Sequence, residues 1–361
     1  MGVLIVGSSA ADNQFSMKQY GELAKSIHLE NLTNVDFISA PFFLRRLFNN
    51  KWSSYFDWML LLPFVLMLNS RKYNHVHIID HSKAFLSFFC FGCGNVVVTC
   101  HDMIAIRSAI DCDDIKLSIL GKLLQKYCLM GLFNADRVIC VSKTTLNEYQ
   151  KYGGDNGSIA LSCLNENFTN LSERECGSYL KKIGLTNQKY IFHVGSNLHR
   201  KNREGIIKAF SSSEFFQQGL LVFAGEPLSE KYKTLINELS IGNKVLDLGR
   251  IEFFELNILY SSAECFLFPS YSEGFGWPVI EAQASGCAVI CSNQESLSEV
   301  GSVGTYAIDP SNIESIKKAI DKVCFDEKLL NSLRAEGQRN LERFSRNNMR
   351  DSYKTIFRCF K

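Results

Sequence analysis

The sequence predicts an α/β protein made of two doubly wound domains in tandem, each a parallel sheet covered by helices on both faces. Three observations support this prediction. Apolar runs of strand length alternate with amphipathic stretches of helix length along most of the 361 residues. The runs are apolar on both faces, as buried parallel strands are. The alternation lapses once and then resumes, and the chain length suits two domains of roughly 150 residues each.

The first series of elements precedes the lapse. It opens with an apolar run at 3–7 and a helix at about 15–28. Three further buried strands and one long helix follow, at 75–80, 95–101, 137–142 and 115–133. Residues 164–188 are polar and carry no strand pattern, so we interpret 166–188 as a linker. The predicted domains are therefore 1–165 and 166–345.

The second series begins after the linker. Its predicted strands are at 190–196, 220–226, 244–249, 264–270 and 288–293. From about residue 313 onward the pattern is helical, and we expect the last helix, 346–361, to pack back toward the N-terminal domain. Ligands bind beyond the carboxyl ends of parallel strands, so two such sheets facing each other predict a site in a central cleft.

Composition excludes several classes of function. The chain has 39 basic and 37 acidic residues, a net charge of +2, so we expect no nucleic-acid partner. The thirteen cysteines are odd in number and scattered through apolar runs, which favours a reduced protein over a disulfide framework. The first residues lack the basic segment and cleavage site of a signal peptide. We therefore expect a cytoplasmic location.

Residues 41–72 combine basic and aromatic residues, with five Lys or Arg against one acidic residue. The apolar run within them, 58–68, is too short for a spanning helix and contains Pro63. Basic and aromatic residues together suit a membrane interface, which predicts peripheral contact with the cytoplasmic face of the inner membrane. The alternative is a buried helix with a solvated end.

The stretch "EGFGWPVIEA" begins at Glu273 and follows a predicted strand. Pro278 fits the first turn of a helix, and the two glycines before it let backbone approach a ligand closely. Free N–H groups at such a helix start suit a phosphate. Glu281 falls in the predicted first turn, where acidic residues commonly stabilise a helix, whereas Glu273 precedes the loop and has no such role.

The longer stretch "EGFGWPVIEAQASGCAVICSN" resembles the signature of glycosyltransferase family 4, which are retaining enzymes of the GT-B fold with two Rossmann-like domains. Glu273 and Glu281 match the family's Glu-x7-Glu spacing. "HVGSNLHRKNREGIIKAF" (193–210) is similar to its phosphate-binding strand, loop and helix, and "CHDM" (100–103) to a His-Asp loop of its N-terminal domain. The resemblance covers most of the second domain and only a few strand ends of the first.

The resemblance implies roles for individual residues. The residues implied nearest the chemistry are Glu273, His101 and Lys201. The implied donor-binding residues are Arg200, Ser196, Gly274, Phe275, Gly276, Glu281, Arg250 and Ile251. On the acceptor side they are Gly7, Ser8 and Asp102. Ser196 stands where many family members have an arginine, which leaves one phosphate contact open.

The implied reaction is retaining transfer of a hexose from a nucleotide-diphosphate sugar to a saccharide or lipid-linked acceptor. Its implied setting is assembly of a bacterial surface polysaccharide such as O-antigen, capsule or lipopolysaccharide. Front-face attack in this family needs no enzyme nucleophile. Two alternatives stay open: a sugar-nucleotide epimerase or phosphorylase on the same fold, or an inactive GT-B module acting in assembly.

No cofactor or essential metal is expected. The Asp-Cys-Asp sequence at 111–113 favours an acidic helix start over the metal motif of another transferase fold. The pair His75 and His77 lacks further ligands at fitting spacing, and Cys90 with Cys93 is one Cys-x-x-Cys without a second.

Overall fold

The computed structural model describes residues 2–7, 15–30, 34–39, 57–111, 116–165 and 167–358. The chain forms two compact units: residues 1–162 with 346–361, and residues 163–345. Ser8 and residues 40–56, which include the first half of the basic and aromatic stretch 41–72, lie outside the described residues. Within the described part of the chain, no helix combines the length and apolar character needed to cross a bilayer.

The first unit alternates strands and helices. Its elements are β1 (Gly2–Val6), α1 (Phe15–Leu29), β2 (Asn34–Ile38), α2 (Leu62–Asn69), β3 (His75–Ile78), β4 (Asn95–Cys100), α3 (Ile104–Ile110), α4 (Ile119–Asn134), β5 (Arg137–Cys140), α5 (Lys143–Lys151) and β6 (Gly157–Ile159). A π-helical turn, Asp57–Leu61, precedes α2, and a 3-10 segment, His81–Phe89, follows β3.

All paired strands of this sheet are parallel, in the order β2-β1-β3-β4-β5-β6. The strands β1 and β3 are completely buried; β1 is apolar throughout, whereas β3 alternates the buried His75 and His77 with apolar residues. The chain winds from β1 to one side and from β3 to the other, so the loops after these two strands border the switch point of the sheet.

The second unit repeats the pattern. Its elements are α6 (Glu173–Lys182), β7 (Lys189–Gly195), α7 (Arg203–Ser212), β8 (Gly219–Gly225), α8 (Glu230–Glu238), β9 (Val245–Asp247), α9 (Phe253–Ser262), β10 (Cys265–Phe268), α10 (Trp277–Ala284), β11 (Ala288–Ser292), α11 (Glu295–Gly301), β12 (Thr305–Ile308), α12 (Ile313–Phe325) and α13 (Glu327–Asn340). The parallel sheet has the order β12-β11-β10-β7-β8-β9.

Two apolar clusters cover the faces of the second sheet. One contains Ile191 and Leu267 together with the apolar sides of α7 and α12. The other contains Phe192 and Phe266 with residues of α9 and α10. Neighbouring strand residues therefore point to opposite faces, and both faces are buried. This is the arrangement that the apolar runs predict.

The stretch 166–188 differs from the predicted linker. It contains the helix α6, and a reciprocal capping box at Ser172 and Glu175 starts that helix. Phe168, Cys176 and Leu185 are buried, and Phe168 and Leu185 belong to the core of the second unit. The stretch is polar in sequence because α6 exposes most of its surface, yet its few apolar residues make it part of that unit.

The last helix, α14 (Arg346–Arg358), belongs to the first unit. Its buried residues include Tyr353 and Phe357. The hydroxyls of Tyr353 and Tyr20 lie 2.7 Å apart, and the Phe357 ring packs edge-on against His28 at 4.7 Å. The first unit is thus completed by the two ends of the chain.

Candidate active site

The candidate site lies where the loops after β7 and β10 leave adjacent strands of the second sheet. Cys265 of β10 pairs with Ile191 of β7. The chain winds from β7 toward one edge of the sheet and from β10 toward the other, so these loops border the switch point. Doubly wound sheets bind ligands in the crevice at such a point.

The loop after β7 is held from two sides. Asn202 adopts a left-handed conformation with φ of 52°, and its side chain caps α7 by accepting a backbone N–H bond. The Tyr271 hydroxyl donates to the same Asn202 oxygen at 3.0 Å, and the Tyr271 N–H donates to the carbonyl of Arg200 at 2.8 Å. These bonds place Arg200 and Lys201 directly beyond the strand ends.

Glu273 lies between these two cations. The Lys201 Nζ donates to one carboxylate oxygen at 2.6 Å, and Arg200 Nη1 lies 2.6 Å from the other. The side chain of Glu273 is 9% exposed. Ser296 Oγ donates to the Glu273 carbonyl at 2.5 Å and so fixes the backbone as well. Charge-assisted bonds of this length are the stronger kind.

The ionisation of Glu273 follows from these neighbours. Burial alone would raise the pKa of Glu273, but the charges of Lys201 and Arg200 outweigh burial and hold it below its ordinary value. Burial lowers the pKa of Lys201 against the attraction of Glu273. The Lys201 ammonium also lies 4.6 Å from the centroid of the Phe268 ring. Two cations around one carboxylate leave a net charge of +1, which suits an anionic ligand.

The glycine loop turns sharply into α10. Gly276 has φ of 97°, and a Cβ there would collide with the Leu297 side chain. Phe275 is buried and packs edge-on against Phe344 at 5.7 Å. Pro278 lies in the first turn, as predicted from the sequence. The helix start follows Glu273 by only a few residues, but it offers fewer free amides than the sequence predicts, because Pro278 has no N–H and the Val279 N–H donates to the Gly276 carbonyl at 2.9 Å.

Glu281 is the fifth residue of α10, so the prediction that it lies in the first turn is wrong. It is buried, and the Tyr260 hydroxyl donates to its carboxylate at 3.4 Å. Burial raises the pKa of Glu281 to about 7. A carboxylate in this position does not serve as an exposed acidic helix start. Because the pKa of Glu281 is about 7, its carboxyl group is partly protonated and partly ionised near pH 7.

The other predicted donor residues lie at the ends of β7 and β9. Ser196 directly follows β7 and is half-buried. Arg250 is exposed, and Ile251 packs against the core of the second unit. The N–H of Gly225, at the end of β8, donates to the carbonyl of Gly249 at 2.8 Å, which ties the loop before Arg250 to the neighbouring strand.

Sequence reasoning missed Arg203, which is completely buried. Its guanidinium donates to the carbonyls of Gly195 and Glu226 at 2.8 Å and to the Asn197 side chain at 2.7 Å. A further bond reaches the carbonyl of Ala224 at 3.3 Å. Arg203 therefore braces the ends of β7 and β8. The sequence signal was an arginine at the first position of a helix, where a cation opposes the helix dipole.

His101 and Asp102 follow β4 in the first unit. His101 Nε2 donates to the carbonyl of Ile79 at 2.8 Å, and Tyr20 packs edge-on against its ring at 4.6 Å. Burial and the neighbouring His81 ring lower the pKa of His101, so the ring is neutral near pH 7. Asp102 Oδ1 accepts from the N–H of Ile104 at 3.0 Å.

Gly7 directly follows β1, and its N–H donates to the carbonyl of Ile38 at 3.0 Å. A Cβ at Gly7 would collide with the Phe37 ring, so a larger residue does not fit. Ser8 lies outside the described residues. The structure thus places Gly7, His101 and Asp102 at the carboxyl ends of β1 and β4.

Among the described residues, no group of three or more His, Cys, Asp or Glu side chains lies close enough to hold a metal ion. His77 is instead part of the core, where its Nε2 lies 2.8 Å from the Thr99 hydroxyl. Cys90 and Cys93 are free thiols. The sequence 111–113 lies partly outside the described residues. Independence from metal and cofactor stays a prediction.

Comparison with known families gives two matches. Residues 24–161 match the family described as glycosyltransferase family 4. Residues 178–340 match the family described as glycosyl transferases group 1. Together the two matches span most of both units. The second contains the loops that carry Lys201, Glu273 and Glu281, and the first contains His101 and Asp102.

Three curated relatives share 26% to 32% sequence identity with this chain over the aligned residues. O-antigen chain mannosyltransferase B of Escherichia coli is 27% identical over 69% of this chain and 66% of its own length. O-antigen chain mannosyltransferase RfbU of Salmonella typhimurium is 26% identical over 75% of this chain and 70% of its own. A Campylobacter jejuni N-acetylgalactosaminyltransferase, whose name includes a diphospho-undecaprenol acceptor, is 32% identical over 38% of this chain and 40% of its own.

Solved structures share the whole fold. Sucrose-phosphate synthase from Thermosynechococcus elongatus has a TM-score of 0.81 at 16% identity, with 99% of each chain covered. HepE from Anabaena, in complex with UDP and glucose, has a TM-score of 0.78 at 15% identity over 99% of this chain and all of the other. The chain therefore has the GT-B fold that the sequence predicts.

Proposed function

Because this chain belongs to glycosyltransferase family 4, we propose that it is a retaining hexosyltransferase that uses a nucleotide-diphosphate sugar. The observation that carries the proposal is the ion-paired group of Glu273, Lys201 and Arg200 at the switch point of the second sheet, in which Glu273 and Lys201 are largely buried. Its net positive charge suits a diphosphate. Its location matches the crevice in which doubly wound sheets bind nucleotides.

The two cations stabilise the leaving group in this proposal. As the bond from the anomeric carbon to the phosphate oxygen breaks, charge builds on the departing nucleoside diphosphate, and preorganised cations favour that state. The acceptor oxygen bonds to the same face of the anomeric carbon, and its proton passes to a phosphate oxygen of the leaving group. Glu273 is ionised and engaged by two cations, so we assign it to sugar contact rather than nucleophilic attack.

Glu281 is proposed to accept hydrogen bonds from the ribose hydroxyls of the donor. It is buried, and the Tyr260 hydroxyl lies 3.4 Å from its carboxylate. Gly274, Phe275 and Gly276 would present backbone to the donor, with Ser196 alongside. Arg250 and Ile251 would lie by the nucleobase. The match between loop positions and family motif supports these assignments.

The proposed acceptor is a saccharide or a lipid-linked saccharide of bacterial surface polysaccharide assembly. The names of the relatives support this setting, since two are O-antigen mannosyltransferases and one names a polyprenyl diphosphate acceptor. Gly7, Ser8, His101 and Asp102 are proposed to serve acceptor and donor sugar from the first unit. We further propose a cytoplasmic enzyme that contacts the inner membrane peripherally.

The test is to incubate the purified protein with UDP-, GDP- and ADP-hexoses and follow release of nucleoside diphosphate. Replacing Lys201 by Met is expected to lower transfer at least about 100-fold, the usual loss when one stabiliser of developing charge is removed. Lys208→Met is the matched control, because Lys208 lies on the adjoining helix and pairs with Glu204.

Several outcomes would contradict the proposal. Binding of none of the three nucleotides would exclude the transferase and favour an inactive assembly module. A donor epimer without net transfer would indicate an epimerase, and a requirement for inorganic phosphate would indicate a phosphorylase. An anomeric configuration opposite to that of the donor, measured by proton NMR of the first product, would exclude retention.

A further inference from the structure

The short helix α11 lies beside the glycine loop and contacts it at two points. Its second residue, Ser296, is buried and donates to the carbonyl of Glu273 at 2.5 Å. Its third residue, Leu297, is completely buried and occupies the space that a Cβ at Gly276 would need. The position of α11 therefore helps to fix the backbone that carries Glu273.

Other elements hold the carboxyl end of α11. The helix has only seven residues, so its own hydrogen bonds do little to keep it in place. The last carbonyls of a helix have no partner within the helix. In α11, three successive carbonyls of the last turn accept bonds from side chains outside it. Arg343 donates to Glu299 at 2.9 Å, Asn340 to Val300 at 2.7 Å and Gln283 to Gly301 at 3.1 Å.

Gln283 and Asn340 form the centre of this group. Both are buried, and Asn340 Nδ2 donates to Gln283 Oε1 at 2.8 Å. The Gln283 amide also donates to the carbonyl of Gly304 at 3.1 Å, in the 3-10 turn that follows α11. Both the nitrogen and the oxygen of the Gln283 amide are therefore engaged. A buried polar group that is satisfied in this way makes its surroundings rigid.

Gln283 and the proposed ribose acceptor Glu281 share α10 but face different neighbours. Two residues that are two positions apart in a helix lie about 200° apart around its axis. Glu281 faces Tyr260 on α9, whereas Gln283 faces α11 and Asn340 of α13. Replacing Gln283 is therefore expected to change the position of Glu273 and to spare the ribose contact.

We propose that Gln283 and Asn340 are positioning residues for the transfer reaction. They hold the carboxyl end of α11, α11 carries Ser296, and Ser296 fixes the backbone from which the Glu273 carboxylate extends. Both residues act through α11 and take no part in making or breaking bonds. The proposal rests on the proposed function, in which Glu273 contacts the donor sugar.

The experiment compares the kinetics of full-length variants, with whichever of the UDP-, GDP- and ADP-hexoses the wild type uses. Gln283→Met removes the amide at nearly constant volume. It is expected to lower kcat about 10-fold and to change the donor KM less than about twofold, because a misplaced sugar contact is lost mainly in the transition state. Ser296→Ala is expected to act in the same way. Because both act through one contact, the double variant should fall about 10-fold rather than about 100-fold.

Hydrogen exchange gives a second measurement, which does not depend on activity. The amides of α11 should exchange faster in Gln283→Met, while the rest of the second unit keeps its protection. Tyr190→Phe is the matched control, because the buried Tyr190 hydroxyl donates to the carbonyl of Leu259 at 2.9 Å but lies near the opposite end of β7 from the site. It should keep kcat and the exchange of α11 at wild-type values.

A milder variant keeps the test available if Gln283→Met does not fold. Arg343→Met removes the bond to the Glu299 carbonyl and leaves the Gln283 amide in place. It should also lower kcat and speed exchange in α11, and its effect on kcat should not multiply with that of Ser296→Ala.

The outcomes separate this proposal from the proposed function. Multiplying effects in the double variant would overturn it, since Gln283 would then act independently of Ser296. Unchanged exchange in α11, or faster exchange throughout the second unit, would also overturn it. A wild type that is inactive with every donor would contradict the proposed function, and this proposal would fall with it. An active wild type with independent effects would contradict this proposal alone.

Discussion

At the scale of single residues, Glu273 forms ion pairs with the two cations that are proposed to bind the donor diphosphate. Arg200 and Lys201 each bond to its carboxylate at 2.6 Å, so an arriving diphosphate competes with a ligand that the protein supplies itself. The sequence could predict these three residues from the loops in which they lie. It could not predict their pairing, since Lys201 and Glu273 are 72 residues apart and only the sheet order brings them together.

Replacing Glu273 by Gln is expected to separate binding from turnover. The amide removes one negative charge, so nucleoside diphosphate should bind at least as tightly as in wild type, while transfer should fall about 100-fold or more because the sugar contact is lost. Calorimetry and initial rates measure the two effects. Glu204→Gln is the control, because Glu204 also bonds two lysines at 2.7 Å but is 39% exposed. Weaker binding by Glu273→Gln than by the control would contradict the competition.

Glu281 predicts a dependence of stability on pH. Burial raises its pKa from 4.5 to about 7, so the folded state favours the protonated form. Its favourable contribution is fully present below pH 4.5 and is lost as the pH rises toward 7. Glu281→Gln should therefore stabilise the ligand-free protein at pH 8, by on the order of 3 kcal/mol, and change little at pH 4.5.

Thermal unfolding at both pH values measures this effect. The same variant should bind nucleoside diphosphate more weakly than wild type, because an amide accepts fewer hydrogen bonds from ribose hydroxyls than a carboxylate. A melting temperature that is equally changed at both pH values would show that titration of Glu281 has no part in stability. Tyr260→Phe is the companion variant, since it removes the hydroxyl that lies 3.4 Å from the carboxylate.

At the scale of elements, the sequence predicted the buried strands well and the exposed elements poorly. β1, β3 and β10 are fully buried, and their apolar runs identified them. β2 and β6 have no buried residue, so no apolar run marks them. β6 is also only three residues long. The helix α6 was missed for a similar reason, because Cys176 is its single buried residue.

The ends of β7 and β8 depend on a buried cation. Arg203→Met is expected to destabilise the protein by about 3 kcal/mol, since the carbonyls of Gly195, Ala224 and Glu226 lose a donor in a buried site. Binding of nucleoside diphosphate should weaken as the strand ends loosen. Urea unfolding measures the first effect. Arg200→Met is the control and should weaken binding with little change in stability, because Arg200 is 31% exposed. Equal stability of both variants would contradict the bracing role.

At the scale of the whole molecule, the first unit is discontinuous in sequence. Residues 346–358 complete it, and α14 buries Met349, Tyr353, Ile356 and Phe357. These residues pack on α1 and on the buried histidines His28, His75 and His77. A domain boundary drawn by chain position alone therefore divides a unit that packing holds together.

Truncation of the chain after Ser345 is expected to destabilise the first unit and to leave the second unit stable. Loss of α14 uncovers His28 and His77, whose burial keeps them neutral, and removes the Tyr353 hydroxyl that lies 2.7 Å from that of Tyr20. Hydrogen exchange should rise in β1, β3 and α1, while the second unit keeps its protection and its affinity for nucleoside diphosphate. The full chain with Arg358→Ala is the control, because Arg358 is exposed on the same helix. Uniform loss of protection in both units would contradict this expectation.

The position of α14 in the first unit also affects the order in which the two units complete folding during synthesis. The ribosome synthesises residues 1–162 before the second unit and residues 346–358 after it. The first unit therefore lacks the helix that packs on α1 while the second unit emerges and forms its own core. The unit that is synthesised first is thus the last to be finished. Until then, Phe357 does not yet cover His28 and His77 of the first unit.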